Sequence, residues 1–166
     1  MQVFWQKGFE ATSLDDLTKA MGLSRSSFYA TFDCKQTLFL RALEHYSRNG
    51  IRGLKEVAET AQGDAVEAMM QALSDPKGGP RGCLLINCIT ELAPHDDKVA
   101  AIGRRHLESI EDLFARAIDP DNPDAVRDKA SAYSSLAIGT LALRKAGVPS
   151  ERIARTLQQA KAVLSP

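Results

Sequence analysis

Apolar residues recur at three- and four-residue spacing along nearly the whole chain, which is the pattern of amphipathic α-helices. Gly, Pro, Asp and Asn interrupt this pattern at intervals, and the alternation of apolar and polar residues that marks a strand is nearly missing. The pattern therefore predicts an all-α fold with about nine helices.

The first 34 residues are predicted to form three short helices joined by tight turns. The first helix, at residues 1–7, looks like the end of a longer one, so we expect its earlier turns to be missing from this sequence. Ser13 and Ser24 are predicted to cap the second and third helices, and Gly22 is predicted to end the second. A long amphipathic helix is expected to follow from Lys35.

Five further helical segments are predicted beyond this fourth helix. The fifth and sixth are separated by a loop at residues 75–80, and the sixth, at residues 82–92, is apolar enough to be buried on all sides. Pro123 is expected to start the eighth helix, which would run to Lys145. Two domains are predicted, at residues 1–34 and 35–166.

The composition is that of a folded domain without a strong overall charge. Of its 166 residues, 44% are hydrophobic, and 21 basic side chains balance 21 acidic ones, so any nucleic-acid binding has to be concentrated on one face. No apolar stretch is long enough to span a membrane and no secretory signal is evident, so we expect a cytoplasmic protein. Cys34, Cys83 and Cys88 form no metal-type pair, so no disulfide, metal or cofactor is expected.

The three short helices have the plan of a helix-turn-helix. Its inward face is predicted to consist of Leu14, Leu17, Met21, Leu23, Phe28 and Phe32. This leaves Arg25, Ser26, Tyr29 and Ala30 facing outwards. Arginine and serine in the first turn of such a helix can bind guanine edges, other bases and phosphates. Double-stranded DNA is therefore the predicted partner.

Two segments, residues 8–13 and 22–32, together with Lys35, resemble the DNA-binding domain of the TetR/AcrR family of bacterial transcriptional repressors. The similarity consists of a Gly-Phe…Thr-Ser start, a Gly-Leu-Ser turn, an aromatic-Tyr pair, a Phe three residues after the Tyr and a Lys three residues beyond it. It implies an all-helical homodimer in which three helices bind a palindromic operator, the C-terminal part encloses an inducer pocket, and the last two helices dimerise. Release of the operator by a small molecule is the implied function.

The resemblance also implies the DNA contacts. Arg25 and Ser26 would read bases, and Ser27 and Tyr29 would contact phosphates and base edges. The DNA backbone would be held by Thr12, Ser13, Thr31 and Lys35. A lysine in the first turn of a helix also adds its charge to the exposed amides there, which predicts an anion site at Lys35.

Two positions depart from the family pattern. Asp15 stands where basic residues are frequent, and Thr18 replaces the usual alanine. Residues 1–48 contain six Lys or Arg and five Asp or Glu, so this region is nearly neutral. A helical interaction protein that has lost DNA binding is therefore the alternative function.

A ligand pocket is predicted among the middle helices. Its expected lining is Leu85, Asn87, Cys88, Glu91, Ile102 and His106. Asn87 in an apolar helix needs a hydrogen-bond partner, which is either a ligand or the neighbouring backbone. The expected effector is small and largely hydrophobic or aromatic, anchored by Asn87 or His106, and Leu85→Trp is expected to fill its site.

The last two helices are predicted to form the dimer interface. Apolar side chains exceed what one packing face can use, and the interface residues are expected to be Leu136, Ile138, Leu141, Ile153 and Leu157. The sequence contains no Glu-x-x-His pair, Gly-rich phosphate loop or Gly-x-Ser-x-Gly motif, so an enzyme is not expected.

Overall fold

The computed structural model describes residues 1–74 and 81–164, and within these ranges it is all-α, as predicted. The predicted loop at residues 75–80 lies outside the described residues. The helices are α1 Gln2–Lys7, α2 Leu14–Met21, α3 Arg25–Phe32, α4 Lys35–Thr60, α5 Ala65–Ser74, α6 Leu84–Leu92, α7 Asp97–Ile118, α8 Arg127–Lys145 and α9 Ser150–Leu164. None of them, as far as the described ranges extend, is long and apolar enough to cross a membrane.

Local capping residues set the ends of α2 and α3. Ser13 and Asp16 form a reciprocal capping box at the start of α2. Gly22, with φ 65°, ends α2 in the left-handed region that favours glycine. The side chain of Ser24 then accepts a hydrogen bond from the amide of Ser27 at the start of α3. These contacts confirm the predicted turn and both predicted caps.

A first apolar cluster joins the helix-turn-helix to α4, α6 and the start of α7. At its centre the ring of Phe39 lies 5.0 Å from that of Phe4 and 4.7 Å from that of Phe9. Phe28 of α3 is buried in the same cluster, together with Leu85 of α6. Helices α1, α2 and α3 therefore share their core with helices beyond residue 34.

A second apolar cluster lies at the other end of the molecule. It is formed by α5, the second half of α7, α8 and α9, with Leu54 from α4. The rings of Phe114 and Tyr133 stack at its centre, 5.9 Å apart. Helix α4 is long enough to contribute to both clusters.

Three details of the predicted elements are wrong. Met21 is exposed rather than inward-facing, because it is the last residue of α2 and extends beyond the packed face. Helix α6 begins only at Leu84 and exposes Glu91, so it is not buried on all sides. Pro123 starts a short 3-10 turn, and α8 begins at Arg127.

Candidate DNA-binding surface and internal cavity

Helix α3 presents an exposed polar surface formed by predicted DNA-contacting residues. Arg25, Ser26, Ser27, Tyr29 and Thr31 are all exposed. Tyr29 leaves 52% of its surface accessible although its ring packs edge-on against the buried Phe28 at 5.6 Å. Contact with Phe28 thus holds the Tyr29 ring in place, while the rest of the side chain is exposed.

Serine hydroxyls cluster at the N-terminus of α3. The Oγ atom of Ser24 lies 2.9 Å from that of Ser26 and 2.8 Å from that of Ser27. The N-terminus of a helix carries a partial positive charge and unpaired amides. Hydroxyls at such a position suit contacts with phosphate oxygens.

An ion pair connects the starts of α2 and α3 across this surface. The guanidinium of Arg25 donates to Oδ1 of Asp15 through Nη2 at 2.7 Å and through Nε at 3.1 Å. This contact raises the pKa of Arg25 and fixes one edge of its guanidinium. The departure at Asp15 was predicted but its pairing with Arg25 was not, although opposite charges at two adjacent helix starts were a signal for it.

A half-open cavity of about 280 Å³ lies between the second half of α4 and helices α1, α5, α6, α7 and α8. Most of its wall is apolar and includes Ile51, Leu54, Leu73, Ile86, Ile110, Ala137, Ile138 and Leu141. Residues with polar groups that also line it include Trp5, Tyr46, His106 and Arg144. The hydroxyl of Tyr46 donates to Sγ of Cys83, 3.5 Å away.

His106 is a buried titratable group in the wall of this cavity. Its side chain keeps only 6% of its surface exposed, and its Nδ1 atom lies 2.9 Å from Oγ of Ser47 on α4. Burial lowers the pKa of His106 to about 4, because the charged imidazolium loses its hydration. The ring is therefore neutral at neutral pH.

Comparison with known proteins agrees with this architecture. Residues 1–42 match the family model described as bacterial regulatory proteins, tetR family. Residues 1–42 therefore form a TetR-family N-terminal domain. The chain is 35% identical over 121 residues to the HTH-type transcriptional regulator YezE of Bacillus subtilis, and 35% identical over 114 residues to the HTH-type transcriptional repressor ComR of Escherichia coli. These relatives are regulators rather than enzymes.

The matches cover the two relatives only in part. The alignments take in 69% and 64% of this chain, which spans 61% of YezE and 54% of ComR. Among solved structures, a cysteine mutant of the TetR family regulator CifR, complexed with 26-bp operator DNA, superimposes with a TM-score of 0.80 and 26% identity. That superposition covers 95% of this chain and 89% of the CifR chain.

One predicted contact with the DNA backbone, that of Thr12, is wrong, and the side chain of a second, Lys35, is engaged within the protein. Thr12 is only 1% exposed, and its hydroxyl donates to the carbonyl of Gly8 at 2.6 Å. The ammonium of Lys35 points inwards, donates to the carbonyls of Phe9 at 3.0 Å and Thr12 at 3.1 Å, and lies 4.4 Å from the Phe9 ring centroid. Ser13 is exposed, so its predicted contact stays a prediction.

The predicted pocket is mostly wrong, because α6 turns its apolar face into the first cluster. Leu85, Cys88 and Ile102 are buried in that cluster, and Glu91 is exposed. Only His106, of the six predicted residues, lines the cavity described above. The cavity residues that were missed include Tyr46, Gly50 and Leu54, whose four-residue spacing on α4 was the available signal.

Asn87 has partners of its own outside this cavity. Its Nδ2 atom donates to the carbonyl of Arg81 at 3.0 Å, and its Oδ1 atom accepts from Nζ of Lys145 at 2.9 Å. The backbone alternative considered for this amide is therefore confirmed. The prediction that Asn87 anchors a ligand in the pocket is wrong.

The predicted dimer residues divide into two groups. Leu141, Ile153 and Leu157 are buried within the protomer, so they do not form a free surface, while Leu136 and Ile138 are half-buried. The exposed large apolar residues of the last two helices are instead Leu143, at 41%, and Val163, at 83%. The interface prediction is wrong for Leu141, Ile153 and Leu157, because helical spacing alone does not say which apolar face meets the protomer's own core.

Proposed function

We propose that this chain is a transcriptional regulator of the TetR type, which binds a palindromic operator as a homodimer and releases it when a small molecule binds. The observation that carries the proposal is the exposed polar surface of α3 on a helix-turn-helix that matches the family model. The solved structure of CifR with operator DNA and the repressor name of ComR support the same function. A bacterial regulator of this kind works in the cytoplasm.

In this proposal Arg25 is the principal base-reading residue. A guanidinium can donate two hydrogen bonds to the O6 and N7 atoms of guanine in the major groove. Asp15 holds one edge of the Arg25 guanidinium, which leaves Nη1 directed away from the ion pair. Tyr29 lies one helical turn further along α3 and would contact the neighbouring phosphate or base edge.

Fluorescence anisotropy with duplex DNA from upstream of the protein's own gene tests the DNA-binding function. Arg25→Ala is expected to weaken specific binding by about 1–3 kcal/mol and to relax specificity at one position of each half-site. Arg104→Ala, an equal loss of charge at an exposed site on α7, is the matched control and should leave the affinity unchanged. Wild-type protein that binds no such DNA, at low as well as moderate salt, would favour the alternative of an interaction protein without DNA binding.

The proposed dimer is supported by apolar side chains left uncovered on α8 and α9. Leu143 and Val163 face outwards, and Gly139 and Ala142 lie on the same exposed side of α8 as Leu143, where small residues let helices approach closely. A two-fold dimer would present its two α3 helices about 34–36 Å apart, at successive major grooves. Sedimentation equilibrium should give twice the chain mass of 18.1 kDa, and Leu143→Asp should give the monomer. A wild-type monomer at micromolar concentration would contradict the dimer.

The proposed effector site is the cavity beside the second half of α4. Its mostly apolar wall fits a small, largely hydrophobic or aromatic molecule. Because α4 also packs against the helix-turn-helix, a ligand that displaces its second half would change the separation of the two α3 helices. A preference of about 1–3 kcal/mol for the displaced state would weaken operator binding roughly 5- to 150-fold.

A further inference from the structure

Residues with N–H donor groups line the cavity. They include His106 and Trp5, whose buried Nε1 has no hydrogen-bond partner among the described residues, and the described lining contains no carboxylate. A ligand that leaves a buried donor without a partner loses the hydrogen bonds that the donor would make in water. The wall therefore selects for a molecule with at least one hydrogen-bond acceptor.

The hydrogen bond between His106 and Ser47 determines which ring nitrogen of His106 is available to donate to a ligand. Within the described part of the chain, Oγ of Ser47 has no hydrogen-bond partner other than Nδ1 of His106. If the Ser47 hydroxyl donates to Nδ1, its proton is paired in this contact, and Nδ1 is the acceptor available to it among the described residues. With that direction, the proton of the neutral imidazole lies on Nε2, the ring nitrogen of this cavity-lining residue that has no hydrogen-bond partner among the described residues.

We propose that the effector is an apolar ring or chain carrying one oxygen acceptor, of a carbonyl or carboxylate group, and that this oxygen accepts a hydrogen bond from Nε2 of His106. The proposal rests on the effector function of the cavity proposed above. The volume supports a single substituted ring, because an apolar cavity of about 150 Å³ already holds benzene and this cavity measures about 280 Å³.

The hydrogen bond between His106 and Ser47 also connects a ligand in the cavity to α4. His106 belongs to α7, whereas Ser47 lies in the middle of α4. An acceptor that draws the imidazole towards itself also acts on the hydrogen bond to Ser47. Ser47 is therefore a positioning residue, which sets the tautomer of His106 and joins the occupied cavity to the helix that supports the DNA-binding unit.

Three probe molecules of similar size test this chemistry. Acetophenone and benzoate carry an oxygen acceptor, while ethylbenzene lacks one. Calorimetry gives their affinities, and the indole N–H signal of Trp5 in a ¹⁵N-labelled sample reports occupancy, since the chain has one tryptophan and it lines the cavity. We expect acetophenone or benzoate to bind about 5- to 20-fold more tightly than ethylbenzene. The order of these two shows whether the natural acceptor is a carbonyl or a carboxylate.

Variants separate the hydrogen bond from simple filling of the cavity. His106→Phe, which keeps a ring but removes the N–H donor, should abolish the preference for the oxygen-bearing probe and leave ethylbenzene affinity within about twofold. Ser47→Ala should reduce the preference, and Ser47→Thr should restore it, because threonine keeps the hydroxyl. Asn87→Ala, outside the cavity, is the control and should change none of the affinities.

The outcomes distinguish this inference from the proposed function. Equal affinities for the three probes in wild-type protein, no binding of any probe at millimolar concentration, or an unchanged preference in His106→Phe would each overturn the inference. The operator anisotropy measurement on the same wild-type sample is independent of these results. DNA binding without an oxygen preference would refute only the effector chemistry, and an oxygen preference without DNA binding would refute only the regulator.

Discussion

The two halves of helix α4 lie in different surroundings. Near its start, Phe39 fills the space between Phe4 and Phe9, and Lys35 donates to backbone carbonyls of the loop before α2. In its second half, Ile51 and Leu54 border a cavity. The first half is therefore packed against the DNA-binding unit, while the second half has unfilled space beside it.

Under the proposed function, this difference would let one helix both hold the DNA-binding unit and respond to a ligand. A close-packed interface moves as a body, because small displacements create clashes or voids. A cavity, in contrast, lets the helix beside it adopt more than one position at small cost. A ligand in the cavity would thus move α4, and the packed first half would carry the helix-turn-helix with it.

The largest expected effect comes from removing a buried ring from the closely packed first half of α4. Phe39→Ala should lower the free energy of unfolding by about 3–5 kcal/mol, because it removes a buried ring from the first cluster. Phe114→Ala, an equally buried ring of the second cluster, is the matched variant. Hydrogen exchange should show lost protection in α1–α3 for Phe39→Ala, and in α8 and α9 for Phe114→Ala. Identical loss of protection throughout the chain in both variants would mean that the two clusters unfold as one.

A smaller effect on stability is expected from a change of pH, through His106 in the cavity beside the second half of α4. The pKa of His106 is about 4 in the folded protein and about 6.5 in the unfolded chain. Between these values the unfolded state binds the extra proton, so stability is full above about pH 7 and falls as the pH drops towards 4. The loss should reach about 3 kcal/mol. Urea unfolding across this range measures it.

The control for this pH dependence is His106→Gln, which keeps a polar side chain but does not titrate. Its stability should be nearly constant over the same interval. Asp16, whose pKa is lowered to about 2 by the Lys7 ammonium and by hydrogen bonds from Ser13, contributes only below about pH 4. A wild-type slope that persists in His106→Gln would show that another group causes it.

Local signals made the helix-turn-helix predictable and left the cavity unpredictable. Gly22 and Ser24 act within four residues of themselves, so sequence spacing is enough to place the turn and the start of α3. The cavity joins Trp5, His106 and Ile138, which are far apart in the sequence. Helical periodicity marks apolar faces but not which faces meet, and for that reason Leu85 was expected at the cavity and lies in the core.

The smallest expected effect concerns Lys35, the polar contact at the packed end of α4. Lys35→Met keeps the apolar stem against Phe9 but leaves the carbonyls of Phe9 and Thr12 without their ammonium donor. The free energy of unfolding should fall by about 1–2 kcal/mol. Lys19→Met, at an exposed position of α2, is the matched control and should stay within about 0.5 kcal/mol of wild type.

The salt dependence of DNA binding decides between this structural contact and a phosphate contact at Lys35. A lysine that neutralises a phosphate contributes about one unit to the slope of log affinity against log salt concentration. Because the ammonium is directed at carbonyls, Lys35→Met should leave that slope unchanged and lower affinity only as far as the loop before α2 loosens. A slope reduced by about one with full stability retained would instead mean that Lys35 leaves the carbonyls to meet the DNA backbone.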